Sequence, residues 1–375
     1  MTVLESRRAE DLHVPATWVR ELEDLSPAPP PPVRRKLGAT TAEDRMIGGG
    51  ALLGALALAW VLCFRLLPWD SVIAYAITAF VLFLVLVTVA TSVTSGGPAV
   101  TDRLAAAMVT GGAALVGVAL ASTVAFTLVR GVGALFHASM WFDDMAGVGP
   151  RDALTRGGVA HAIVGSLVEI AIAVAITVPL GIGTAVFMTE VGGKFSRVVR
   201  TVVEAMTALP SIVAGLFIYT VLIVTLGVPR SGLAAAAALS VMMLPIIARA
   251  ADVVLRVVPS GLREASLALG ASRWRTVWNV VLPTAKAGLS TALILGVARG
   301  IGETSPVLLT SGAASFLVLN PADGVMNSLP LFIYSTVRSG EPLYIERGFA
   351  AASILLILVL TLFVVARRLA RPRRR

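Results

Sequence analysis

Apolar residues fill this chain in long, unalternating runs, each long enough to cross a bilayer as a helix. A span needs roughly 20 such residues. Eight stretches qualify: 46–67, 71–93, 106–128, 160–188, 202–226, 233–255, 289–309 and 349–366. The third has room for a further turn, and the fourth is long enough to tilt. The polar punctuation between the runs is short. Pro68-Trp69-Asp70 turns the first run into the second, with Trp60 and Trp69 placed as interface anchors. Gly50 and Gly54 make a small-xxx-small pair suited to close helix contact. The stretch 94–103, with Gly96-Gly97-Pro98, separates this hairpin (46–93) from the rest. The pattern predicts an all-α, polytopic membrane protein with eight transmembrane helices, the first two an accessory hairpin.

Composition agrees. Of the 375 residues 57% are hydrophobic and 14% charged, against roughly a quarter charged in a soluble domain, and the mean hydropathy is +0.86. Net charge is +9, and its placement matters more than its sum. With both termini in the cytoplasm, only Arg65, Arg130, Arg151, Arg156, Arg230, Arg338 and Arg347 fall outside, and Arg249 and Arg299 fall within spans. The remaining basic residues line the inner side, as the positive-inside rule requires. That asymmetry removes any need to invoke nucleic acid. The abundance of Arg, Ala and Val beside three Lys suggests a GC-rich bacterial genome. Residues 1–45 are charged and Pro-rich and read as a disordered cytoplasmic tail, with room for one short amphipathic helix over 16–25. The basic stretch 369–375 anchors the C-terminus at the anionic inner leaflet. Cys63 is the single cysteine and has no internal partner.

One polar segment stands out between hydrophobic runs, 260–283. Pro259 breaks the preceding run, Ser260 is placed to N-cap a short helix, and Gly270 to close it in the left-handed conformation. Arg263, Glu264, Arg273 and Arg275 keep the segment out of hydrocarbon. A capped helix held between two spans is a handle for a soluble partner. Elsewhere Pro210 removes a helix hydrogen bond and Gly215 weakens the same run, so the fifth span kinks or breaks there. Packing explains such a break as readily as a lined cavity does.

Charges inside the apolar runs carry the candidate chemistry. Arg249 lies in the inner half of the sixth run, where snorkelling to the interface and lining a pathway both remain open. Arg299 lies near the centre of the seventh, where an arginine costs at least about 2.5–3.5 kcal/mol. Glu303 is one turn on, on the same helix face. Gly296, Gly300 and Gly302 allow close backbone approach, and Pro306 frees a carbonyl. Guanidinium groups match the oxygens of tetrahedral oxyanions. A carboxylate beside them suits an oxyanion that still carries a proton, which mildly favours phosphate over sulfate. Glu169, inside the fourth run, is as readily a structural polar contact as a transport residue, and His161 reads as a satisfied interfacial residue. No second His or Cys lies near it, so no metal site is expected. A phosphate-loop search finds only Gly193-Lys194 followed by Phe195, so an ATP site must lie on another chain. No cofactor is expected.

Several of these segments resemble known motifs. Glu264-Ala265, Gly270 and then Val280, Leu282 and Pro283 are similar to the EAA loop of ABC-importer permeases, departing from it at Ser266 and Val280. The run Pro210-Ser211-Ile212-Val213 through Gly215-Leu216-Phe217 to Tyr219 resembles one in phosphate-importer permeases. Gly302-Glu303-Thr304-Ser305-Pro306-Val307-Leu308-Leu309-Thr310 resembles the G-E-T-A-P-L-L-L-T run of PstA-type permeases, with Ser305 and Val307 as departures. Ser328-Leu329-Pro330-Leu331-Phe332-Ile333-Tyr334 is similar to a further run of that family. The likeness covers 106–368. It implies that the last six spans form a type I ABC-importer permease core. It further implies that Arg249, Arg299, Glu303 and Thr304 line a phosphate pathway, that Arg263, Glu264, Ala265 and Gly270 engage the ATPase, and that Pro210, Gly215 and Pro306 break helices. The implied partners are a second, PstC-type permease, an ATPase dimer, an external phosphate-binding protein, inorganic phosphate and the lipid membrane. The implied function is a non-enzymatic permease subunit of an ATP-driven phosphate importer. Rival readings are a permease for sulfate, molybdate or another solute, and a scaffold that transports nothing.

Overall fold

The computed structural model describes residues 42–67, 69 and 71–370, and all regular structure among them is helical. Most of the Pro-rich tail with its 16–25 helix, two residues of the 68–70 turn, and 371–375 lie outside the described residues. Seven described helices are long and apolar enough to cross a membrane, or eight if one bent pair counts as a single span. They correspond in order to the eight apolar runs.

The chain divides into two compact units, Met1–Val118 and Ala119–Arg375. In the first, α1 (Ala42–Val61, continued by a π-helical turn Leu62–Leu66) pairs with α2 (Val72–Thr94). Of the small-xxx-small pair, Gly54 meets Leu86, whereas Gly50 faces open space. Ser71 caps α2, its hydroxyl accepting the amide of Ile73 at 3.3 Å. The third helix, α3 (Gly97–Leu135), is far longer than the 106–128 run, because nothing between Pro98 and Leu135 stops a helix.

In the second unit the stretch after α3 forms a short helix, α4 (Ala138–Phe142). It is tied to a distant loop where Asp144 accepts the amides of Ala146 and Leu317, at 3.1 Å each. Arg347, counted from sequence among the external charges, is buried. One of its nitrogens donates to the carbonyls of Asp152, Ala153 and Arg156 at 3.0, 2.8 and 2.9 Å. Three carbonyls of one turn, two of them without a backbone donor, draw the guanidinium inward. Nearby, Arg151 hydrogen-bonds Glu341 and holds that carboxyl below its usual range.

The core lies between α5 (Ala160–Val186, running on π-helically to Val191), α8 (Gly232–Arg256), α11 (Leu282–Ile301) and α14 (Pro342–Ala370). Ile170, Leu239, Met243, Ile247, Ile301 and Val307 make one buried cluster there. Glycines let α8 and α11 touch. A Cβ at Gly288, Gly296 or Gly300 would overlap Val254, Ile247 or Met243 respectively. The helices therefore run antiparallel along a shared seam. His161 is buried with no partner at either ring nitrogen and lies edge-on to Phe332, 5.5 Å between centroids. It is thus a core residue and not the satisfied interfacial one expected.

Candidate functional site

Two regions gather the residues singled out from sequence. The first is the polar segment. The helix α9 (Ser260–Ala268) forms as expected, but Pro259 takes the N-cap position and the Ser260 side chain caps nothing. Proline's fixed φ suits that entry and places Ser260 one residue inside. At the other end Gly270 has φ +83°. Its amide bonds the Leu267 carbonyl at 2.9 Å and that of Ala271 bonds Ser266 at 3.2 Å. This is a Schellman closure, which favours glycine. Ser272 then starts α10 (Arg273–Thr276), which continues through a π-helical turn, Val277–Val281, into α11. The Ser266 hydroxyl, one of the departures from the resembled motif, bonds that of Thr276 at 2.9 Å and closes the loop on itself.

Arg263 does not face outward. It bonds Glu190, at the end of α5, at 3.0 Å, and the Val258 and Leu255 carbonyls at 2.6 and 2.9 Å. The last carbonyls of α8 lack intrahelical donors, and a cation there also meets the negative end of the helix dipole. Glu264, Ala265 and Gly270 are exposed, together with Leu262, Leu267 and Leu269.

The second region is the charged interior. Arg299 lies in the last turn of α11, not at the middle of a continuous seventh span. The helix starts earlier, stops at Ile301 and restarts as α12 (Ser305–Thr310) with Pro306 near its start. Proline lacks the amide and clashes with the preceding turn, so the chain breaks over Gly302, Glu303 and Thr304. Across the break Arg299 and Glu303 approach to 2.9 Å, with side-chain exposures of 59% and 6%. The N–H is not directed at Glu303 Oε1, which has an ion-pair neighbour but no hydrogen bond. Thr304 precedes α12 and its hydroxyl caps nothing.

Arg249 forms its own ion pair, with Glu204 of α6 (Gly193–Thr207), both side chains about half exposed. The glycine register of α8 on α11 sets Arg249 level with Ile294. That is an axial offset from Arg299 of roughly 7.5 Å. The two arginines thus stand at successive levels of one helix pair, each with its own carboxylate. At the C-terminal end of α8, Asp252 joins Arg200 at 3.1 Å and Arg256 at 3.2 Å. Pro210 sits between α6 and α7 (Ser211–Ile218, running on π-helically to Thr225), where the axis turns by 105°. Gly215 breaks nothing. It lies within α7 because a Cβ there would sit 2.6 Å from Pro306 Cα.

Glu190, Glu204, Arg200 and Asp252 were missed from sequence. Each lies at the end of an apolar run, where acids and bases are common, and only the fold pairs them. Glu169 is buried, with Oε1 unpartnered, in a small pocket that it shares with Glu303.

Residues 177–375 match the family described as binding-protein-dependent transport system inner membrane component. Curated relatives named phosphate transport system permease protein PstA include one from Mycobacterium leprae, 41% identical over 66% of this chain and 82% of that protein. PstA 1 of Mycobacterium tuberculosis is 40% identical over 64% of this chain and 78% of that protein. The Pasteurella multocida protein is 33% identical over 64% and 85%. A solved structure titled as inward-facing conformations of the MetNI methionine ABC transporter aligns at TM-score 0.47 and 23% identity, over 58% of this chain and 95% of that one.

Proposed function

Because the chain belongs to the binding-protein-dependent transport system inner membrane components, and within them to the PstA-type permeases, we propose that it is a permease subunit of an ATP-driven importer of inorganic phosphate. One observation carries the reading on the molecule itself. An exposed guanidinium, Arg299, stands at a helix break in the apolar interior beside a buried carboxylate. A fixed cation there offers planar donors to a tetrahedral oxyanion, and Glu303 can accept the hydroxyl proton of a protonated phosphate. Arg249 supplies a second cation about one and a half helical turns away. Thr304 and the broken helices at Pro210 and Pro306 belong to the same pathway.

The chain makes half of that pathway and carries no ATP site. Its partners are a second homologous permease, a dimer of ATPase subunits and an external phosphate-binding protein, in a bacterial inner membrane with both termini cytoplasmic. ATP closes the ATPase dimer, which moves α9 through its exposed Glu264–Ala265 face and Gly270 turn, and the spans open outward. The first two helices and the Pro-rich tail are accessory. The test is labelled-phosphate uptake into vesicles holding the full complex. Wild type accumulates phosphate, Arg299→Ala loses most of it, and unchanged uptake in that variant removes Arg299 from the pathway.

A further inference from the structure

Two ion pairs join α6 to α8, and they are unequally buried. Arg200 of α6 meets Asp252 of α8 at 3.1 Å, with side-chain exposures of 25% and 4%. The same guanidinium nitrogen donates to the Met188 carbonyl, at 3.2 Å. One turn along each helix, Glu204 pairs with Arg249, and there the exposures are 49% and 47%. Beside this second pair Val203 and Ala248, the chain neighbours of its two members, are buried in one cluster with Met188. The helix α6 is therefore fastened by Arg200 and by its apolar face. Glu204 adds little to that fastening and is free to leave Arg249 without undocking the helix.

What Glu204 covers is the donor set an oxyanion would use. Carboxylates and phosphates both take the planar fork of guanidinium N–H groups, so the same face of an arginine holds one or the other. Among the described residues Glu204 is the only hydrogen-bond partner of Arg249. An exposed pair of this kind contributes little and opens readily. Glu303 is different, being walled in by Ile170 of α5, Leu239 of α8 and Pro330 of α13 (Leu329–Val337), so it stays beside Arg299. Around Glu204 the cations are in excess: Arg200, Arg249 and Arg256 stand against Glu204 and Asp252. When Glu204 withdraws, Arg249 is left without a counter-ion, and an anion carrying more than one negative charge is held better than the carboxylate it replaces.

We propose that Glu204 is a built-in competitor for the transported anion at Arg249. Its carboxylate occupies the guanidinium when no anion is there, a tetrahedral oxyanion displaces it, and its return helps to expel that anion from the pathway. Glu204 is thus a positioning residue, acting on the anion through Arg249. That the anion is phosphate rests on the function proposed above; the competition holds for any oxyanion that takes the same fork.

The test labels arginines with phenylglyoxal in vesicles holding the full importer, with inorganic phosphate or sulfate on both sides, and reads each modified peptide by mass spectrometry. Glu204→Gln is isosteric and leaves the Arg200–Asp252 fastening in place. An exposed pair favours its closed form by at most about five-fold. Freeing Arg249 therefore speeds its modification and lowers the phosphate concentration that half-protects it, by about two- to six-fold. Equal half-protecting concentrations in wild type and variant overturn the competition. So does an equal shift at Arg299, which would report a change of the whole complex and not a contest at one arginine. Protection of Arg249 by sulfate and not by phosphate, with the same shift in the variant, leaves the competitor standing and sinks the phosphate substrate. Failure of both anions to protect Arg249 in either protein overturns the competition itself.

Discussion

An ion pair with one wet and one dry partner fails unevenly when cut. Glu303 is buried, and Arg299 is its ion-pair neighbour at 2.9 Å. Removing the arginine strands a carboxylate, a loss of about 3–5 kcal/mol for a fully buried pair and less here because Arg299 is more than half exposed. Reduced uptake in Arg299→Ala has two causes, lost anion binding and lost stability, and a double variant separates them. Arg299→Gln/Glu303→Gln leaves no stranded charge, so the thermal midpoint of the detergent-purified complex recovers most of what Arg299→Gln loses. Phosphate uptake stays low in both. Recovery of both together would make the pair purely structural. Gly215 offers a second prediction at this scale. A β-carbon there meets backbone at Pro306, which cannot yield as a flexible side chain does. Gly215→Val forces α7 and α12 apart and costs about 1–3 kcal/mol, read as a lowered thermal midpoint. Sequence singled out Gly215 as a helix break, whereas the structure keeps it inside α7 and packs it against Pro306. Helix weakness is a local property, whereas the close approach of Pro306 comes from a segment some ninety residues on.

The polar segment 260–283 shows which element-scale features are legible in advance. Its helix and glycine closure follow from residues between Pro259 and Ala271, and both appear where Pro259 and Gly270 put them. What fastens the helix was not legible, because Glu190 is 73 positions from Arg263. Arg263 therefore reads from sequence as a surface charge and in the fold as a latch holding α9 to the ends of α5 and α8. A latch predicts non-additivity. Arg263→Ala and Glu190→Ala each weaken the complex, and a double-mutant cycle on thermal stability gives a coupling energy of about 0.5–3 kcal/mol; additivity denies the latch. The seventh span was misread for a related reason. Apolar content continues through 289–309, and hydropathy is blind to a backbone break that Pro306 imposes inside it. The same blindness hid Arg347. Replacing it by alanine removes three hydrogen bonds to the carbonyls of one turn at once. Each is a hydrogen bond to a charged donor, worth about 1.5–3 kcal/mol, and the loss is measurable as faster proteolysis of the 143–159 stretch.

Across the whole molecule, the eight apolar runs were readable because each is a continuous, self-contained signal. Which charges meet inside was not, since that depends on register between helices. Arg249 and Arg299 occupy successive levels of α8 and α11, while α9 follows directly on α8 and leads through α10 into α11. A displacement of α9 is therefore delivered to both arginine-bearing helices, one at each of its ends. Arg263 and the Ser266–Thr276 bond make the connection stiff, and stiffness is what transmits force and not merely contact. Glu264 is exposed on that handle and takes no part in fastening it. Glu264→Arg thus leaves the fold of this chain and both ion pairs intact while reversing the charge that a partner meets. In the reconstituted importer, ATP hydrolysis continues and phosphate accumulation per ATP falls at least several-fold. A chain that merely scaffolds its partners would show the same ratio of uptake to hydrolysis with either residue, so measuring both rates in one vesicle preparation decides between a lever and a scaffold.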